Sequence, residues 1–515
     1  MTSNFKRYAV AMTTAAAFAS PVIAQDQSVF SAAYGQGFID IDPSSANSNE
    51  IALIANVYEA LVRYVPGVDG ADATIEPSLA TSWSVSDDQL TWTFKLREGV
   101  TFHDGTPFTS EAVKYSIERT QALDSGSAWI WWMVTSVDTP DANTAVFNLS
   151  DPAPIDLIAS SAYAAWIMSP SIGEQDSAWF NAGNAVGTGP FTLQSYEPGV
   201  RAILNRNADY WGGKPTGGID IAVLEAIEDS VLREQQLLGG QTDWAQGLET
   251  DNLAAIDAAD GVRVDTAPAF QNFFGMFNTT RAPLDNADVR RALSMAFPYD
   301  DFIGNVLSDT VAQSRGIVPF GMPGYAADAV QYDYDLDAAR ALLASAGVDG
   351  LEITVTYTSG VPEAQKAAEV YKASLAEIGV TLNLQPMAWE AQWELAKADP
   401  ANAQDIFMMS WWPTYVVAYD FLGSLYHSAD EVNFNLSYYN NPDFDQMIND
   451  ANAQLATDPG AAYAGFAAAG AVLAADAPGL FIYDTQAING IRDDIKGYVA
   501  NPAYSGVVFL NEITR

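Results

Sequence analysis

Cysteine is absent from all 515 residues. That excludes a disulfide, a zinc–thiolate centre, a thiol nucleophile and a lipid-bearing cysteine. Histidine is nearly absent, with only His103 and His427 in the chain. A serine hydrolase would need one of them beside an exposed serine, and no G-x-S-x-G turn occurs. H-E-x-x-H, an EF-hand loop and the dinucleotide fingerprint G-x-G-x-x-G are missing too, so no metal or cofactor is expected. Basic residues are scarce: 23 Lys and Arg stand against 64 Asp and Glu, a net charge of −41. Such a field makes nucleic acid and anionic membrane poor partners. The acids are spread along the chain rather than gathered in runs, which favours a solvated acidic surface over a site for a cationic ligand. With so many acids, carboxylate pairs for glycoside hydrolysis are not excluded by residue type alone. No window approaches 18 uninterrupted apolar residues, so no transmembrane helix is expected.

What is present is enough to fold. Hydrophobic residues make up 49% of the chain and aromatics 12%, and the length suits two or three lobes rather than one core. The N-terminus reads as a secretory signal. Lys6 and Arg7 are positive, 8–18 is mostly apolar, and Pro21-Val22-Ile23-Ala24 places small or aliphatic residues before Gln25. Cleavage is expected after Ala24, at the end of a 1–24 signal peptide.

Leu90, Trp92, Phe94 and Leu96 alternate with Thr91, Thr93, Lys95 and Arg97, the period of a strand with one buried face. Trp83 and Val85 alternate just before it, across a turn at Asp87-Asp88-Gln89, so the pair reads as a hairpin. A turn-rich loop follows, Phe102-His103-Asp104-Gly105-Thr106-Pro107. Thr109 can cap the next helix, with Phe108 and Val113 at hydrophobic-staple spacing. Elsewhere helices are expected over 48–64, 334–347, 362–378 and 461–475. Strands are expected over 29–33, 145–149, 270–278, 351–357, 380–384 and 404–412, the last running into an aromatic loop. Residues 224–248 read as strand, helix and short strand. Alternating strands and helices predict mixed α/β lobes.

The run from Ala80 to Val113 resembles the signature of the extracellular solute-binding proteins of ABC importers, the peptide/nickel/opine-binding family 5. Ala80, Trp83, Trp92, Phe94, Leu96, Arg97, Gly99 to Gly105, Pro107, Phe108 and Val113 carry the match. Further landmarks resemble the same family: Val57 to Val62, Gly187-Thr188-Gly189-Pro190-Phe191, Asn207 to Pro215, and Pro283 to Phe297. The resemblance implies an α/β, bilobal periplasmic-binding-protein fold of type II with an extra subdomain. It places the first lobe over 25–64, the extra subdomain over 65–183, a return to the first lobe over 184–271, the second lobe over 272–483 and a final return over 484–515.

The same resemblance implies a periplasmic, unanchored, monomeric receptor that captures a solute between two lobes and delivers it to a membrane permease. It does not imply an enzyme. Peptides are the commonest ligands of the family. In its members the loop after the strand at 404–412 carries acids that hold a cationic group. Here Thr414 and Val417 stand where those acids would, and Ala418 replaces a proline. Trp411, Tyr415, Phe421 and Leu422 are kept, and Asp420 is the one acid left nearby. The expected ligand-binding residues are therefore Trp411, Trp412, Tyr415, Tyr419 and Asp420, with Asn272, Phe273, Tyr34 and Trp389 at weaker positions. Trp131, Trp132 and Arg315 are weaker still. The lost acids and added aromatics keep an oligosaccharide or another amphipathic solute open beside a peptide. A secreted hydrolase and a periplasmic chaperone or sensor partner are the readings from other classes.

Overall fold

A computed structural model describes residues 27–67, 74–429 and 432–515. The expected signal segment, 1–24, lies outside them. The alternating run at 90–97 forms the strand Thr91–Leu96, with Trp92, Phe94 and Leu96 buried. It pairs antiparallel with Ala80–Val85 on one side and Thr144–Leu149 on the other, and Val134–Asp141 completes a four-stranded sheet. The helix Ser110–Leu123 starts after Thr109, as expected, although the Thr109 side chain makes no capping bond. Phe108 and Val113 are both buried beneath it. This sheet and helix enclose their own core around Trp92, Phe94, Trp131 and Phe147.

A second, eleven-stranded sheet runs through the rest of the molecule. Its order is Thr381–Met387, Glu352–Thr358, Ile406–Trp411, Val262–Phe277, Gly479–Arg492, Trp244–Gln246, Val29–Tyr34, Ile221–Ala226, Arg201–Arg206 and Phe191–Glu197. Ala312–Gln313 pairs on the flank of Gly479–Arg492. Glu352–Thr358 and Thr381–Met387 are parallel and joined by the helix Pro362–Glu377, a crossover that a parallel pair requires. Two strands, Val262–Phe277 and Gly479–Arg492, are long enough to serve both ends of the sheet. Their antiparallel ladder runs from Val262 to Pro268, breaks, and resumes at Asn272 opposite Asp484. At the break Phe270 has a φ of +45°, which turns the chain out of the ladder.

Two expectations are corrected. The helix predicted over 48–64 is only Ile51–Val57. Tyr58 is extended, and Glu59 is held by Tyr210, Trp211 and Thr188, so the chain leaves the helix and enters the strand Val62–Val65. Gly187 and Gly189, which the sequence alone reads as tight-turn residues, do not have positive φ. A Cβ at Gly187 would stand 2.0 Å from the Val57 carbonyl oxygen, so these glycines let two backbones touch. The Gly189 N–H donates to that same carbonyl at 3.0 Å.

Arg119, on the helix Ser110–Leu123, ties the small sheet and helix to the segment at Asp42. Its guanidinium makes paired bonds to the fully buried Asp42 carboxylate at 2.8 and 2.7 Å, and Ser44 N–H and Ser177 hydroxyl complete the acid's partners. Arg119→Ala strands that carboxylate and is expected to cost about 3 kcal/mol or more in urea unfolding. Adding Asp42→Asn to the same variant should recover part of the loss. Equal stability of wild type and Arg119→Ala would show that the pair holds nothing.

Candidate functional site

Two cavities meet at Trp412. The larger, about 620 Å³, is a polar chamber between lobe elements. One wall is Gly35, Gln36 and Asn49 with Gln246 and Gly247, and the other is Trp412 and Pro413. Ala269 and Gln271 form part of its lining at the break in the long strands, and Ser505 closes a further side. The smaller, about 360 Å³, is an apolar alcove lined by Phe273, Val361, Ala364, Trp389 and Met408 to Trp412. Strand alternation explains the pairing of walls: Trp411 ends the strand Ile406–Trp411, so Trp412 is free to turn toward the chamber. A third cavity of about 200 Å³ lies by Glu59, Arg63, Trp211 and Tyr504, away from the break between the lobes.

The alcove is built by packed aromatic rings. Trp389 opens the helix Trp389–Ala398 and packs on Trp393 at 5.3 Å between ring centres. Trp393 packs on Phe434 at 5.5 Å and Phe434 on Trp411 at 5.2 Å. Phe273 stacks on Tyr483 at 5.4 Å behind it. Trp412 is 50% exposed and Trp389 40%, so both rings present a face to solvent within the cleft. Exposed indoles beside apolar walls suit an apolar or aromatic group of a solute.

Four of the nine expected residues thus come together: Trp389, Trp411, Trp412 and Phe273. The other five stand elsewhere. Asp420 is 3% exposed, its carboxylate accepting the Thr414 N–H at 2.8 Å and the Ser424 hydroxyl at 3.3 Å. It braces the loop 412–417 from beneath and does not line either cavity, because the chain turns into the helix Ala418–Tyr426 where an aromatic loop was expected. Tyr419 lies on the same helix, and Tyr415 packs against core residues on both sides of the cleft. Tyr34 is buried between Phe38 and Trp244, and the cleft is lined by its neighbours Gly35 and Gln36. Asn272 is buried and donates to the Ile317 carbonyl at 2.6 Å. Trp131 is core, Trp132 is exposed on the subdomain, and Arg315 is bound to Ala329 and Gln331.

The chamber's amide-bearing wall, Gln36, Asn49, Gln246 and Gln271, was missed in the sequence. Isolated Gln and Asn residues carry no spacing signal, and only the fold gathers them. Both histidines are structural. His103 accepts the Gly187 N–H and donates to the Gly189 carbonyl, and burial holds its pKa below the usual value. His427 bonds to Ser428 and Asn449. No group of three or more metal-ligating side chains occurs among the described residues.

Two hydrogen bonds join distant segments of the chain. The Ser161 hydroxyl donates to the Thr414 carbonyl at 2.6 Å, and the Gln89 amide donates to the Ala453 carbonyl at 3.1 Å. The loop that carries Trp412 is therefore fixed from both sides, by Asp420 below and Ser161 opposite.

Burial pushes the Asp420 carboxyl up to about 7, against which its two hydrogen bonds pull only partly. A raised folded pKa means the native state holds the proton more tightly than the unfolded chain does. The contribution of this group to stability is then fully present below pH ~4 and is lost as pH rises through ~7. Asp420→Asn keeps an acceptor for Thr414 without the charge. Its stability should match wild type near pH 4 and exceed it at pH 7.5 by on the order of 2–4 kcal/mol, read by urea unfolding at both pH values. A difference that does not change with pH would contradict the assignment.

Known proteins resemble this chain in sequence and in fold. A family described as bacterial extracellular solute-binding proteins, family 5 Middle, matches residues 74–433. The chain is 30% identical over 482 residues to the probable D,D-dipeptide-binding periplasmic protein DdpA of Escherichia coli (strain K12), with 92% of each chain covered. It is 27% identical over 478 residues to a dipeptide-binding protein of the same organism, with 87% of each covered. Among solved structures, HbpA2 from Haemophilus parasuis superposes with a TM-score of 0.84 at 22% identity, over 94% of this chain and 99% of that one. The periplasmic binding protein DppA from Helicobacter pylori, in complex with the peptide STSA, gives 0.75 at 24% identity, over 95% and 98%. At those identities the structures establish the fold, which is mixed α/β, bilobal and of periplasmic-binding-protein type II. The chain belongs to the bacterial extracellular solute-binding proteins of family 5.

Proposed function

We propose that this protein is the periplasmic receptor of an ABC importer, which captures a peptide-sized solute between its lobes and presents it to the membrane permease. The observation that carries this reading is the cavity pair at Trp412, with walls drawn from both sides of the strand break. The strands Val262–Phe277 and Gly479–Arg492 cross at that break, which supports dividing the lobes near 271/272 and 483/484. Relatives named for dipeptide binding favour a peptide. The amide-lined chamber beside packed indoles equally suits a glycoside or another amphipathic solute, which stands as the second reading.

A receptor of this kind binds one solute per chain and does not transform it. Native mass spectrometry of the secreted protein should show a bound small molecule at one-to-one stoichiometry, recovered unchanged after release. Trp412→Ala and Trp389→Ala should each weaken binding by about 1 kcal/mol or more by calorimetry. A protein that carries no solute, or that converts the released solute on re-addition, would sink the reading.

A further inference from the structure

The chamber's lining includes a single base, and four of its five N–H donors are already engaged. Arg233 is 6% exposed. Its guanidinium donates to the carbonyls of Gln246 at 2.8 Å, Ile227 at 2.6 Å, Glu228 at 3.0 Å and Gly247 at 2.6 Å. Those four bonds hold together the two turns that form the first-lobe wall. No lysine or arginine lines the alcove. Every Lys and Arg beyond residue 7 falls among the described residues, so none is concealed elsewhere in the chain. The other charged side chain on the chamber is Glu228, which is exposed.

A carboxylate entering this cleft would give up water and find as its one cation the buried Arg233 guanidinium, whose donors are mostly taken, inside the field of a chain with net charge −41. A primary amide or hydroxyl meets the opposite situation. The Gln and Asn side chains of the chamber offer both donors and acceptors. The Gln271 amide makes no hydrogen bond to the described residues, and it sits at the strand break between the lobes.

We propose that the cleft selects solutes without a free carboxylate: a neutral or amine-bearing polar body, rich in amide or hydroxyl groups, joined to an apolar group that fills the alcove at Trp389 and Trp412. The proposal rests on the receptor reading above and narrows its substrate class. For peptides it specifies a C-terminally blocked chain.

The test is calorimetry on the mature secreted protein, stripped of bound solute by partial unfolding and refolding. The probes are Ala-Phe, Ala-Phe-amide and N-acetyl-Ala-Phe-amide. The two amides should bind at least tenfold more tightly than the free acid. Gln271→Lys, which adds a base at the strand break, should narrow that gap by strengthening the acid. The proposal is overturned if Ala-Phe binds as tightly as its amide, if none of the three binds, or if the co-purifying solute carries a carboxylate. The receptor reading is judged separately. A one-to-one solute lost from Trp412→Ala preserves it even when that solute is an acid, whereas a protein purified with no solute at all counts against the receptor itself.

Discussion

Everything in this molecule hangs on the ladder between Val262–Phe277 and Gly479–Arg492. Each strand contributes to both lobes, so the lobes share one sheet and cannot separate without breaking main-chain hydrogen bonds. The ladder shifts register twice, by one residue between Phe273 and Phe274 and more widely between Pro268 and Asn272. Ala269, Phe270 and Gln271 stand opposite Thr485 alone, with Phe270 in the left-handed region. A bulge there bends the sheet and concentrates flexibility where the fewest bonds must adjust. The cleft opens over that same break, which is why Ala269 and Gln271 line it.

The scarcity of bases shapes how the rest is held. The best-buried arginines serve the frame and not a ligand. Arg119 clasps Asp42, Arg233 gathers four carbonyls under the chamber wall, and Arg290 binds the carbonyls of Leu284, Asp476 and Ala477. Guanidinium groups suit this task because their fixed fork of donors satisfies several buried oxygens at once. Two other buried acids are held by backbone and hydroxyl donors instead. Asp420 takes the Thr414 N–H, and Asp484 takes the Ser314 hydroxyl at 2.6 Å and the Phe320 N–H at 2.9 Å. Burial raises both carboxyls, Asp484 to about 6, because neither has a cation beside it. Beside Arg233 and Glu228, the side chains lining the two cavities are aromatic, apolar or neutral polar groups.

The recognisable motifs belong to this frame. Asp104 accepts from Thr106 and Ser171, which fixes the turn after the hairpin. Glu59 draws Thr188, Tyr210 and Trp211 together, so three separated landmarks of the sequence converge on one buried carboxylate. These residues were legible because their partners are local turns or unusual glycines, and because long runs of them resemble a known family. None of them touches the chamber or the alcove.

The sequence by itself determined the elements and their class. Period-two alternation marked Thr91–Leu96, helical spacing marked Leu336–Ser345, and Pro at the start of Pro362–Glu377 marked its first turn, since each depends only on neighbours along the chain. It also excluded thiol chemistry and pointed to Trp389, Trp411 and Trp412. Only the tertiary structure decided which groups meet a solute. Whether Asp420 faced the cleft or the core depended on where the chain entered the helix Ala418–Tyr426 and on the burial behind it. Whether Gln36, Gln246 and Gln271 formed a wall depended on pairings between segments more than 200 residues apart, through the strand Val29–Tyr34 with Trp244–Gln246 and through the long ladder. Contacts of that range leave no periodicity to read, because the sheet register that creates them is set by packing across the whole molecule.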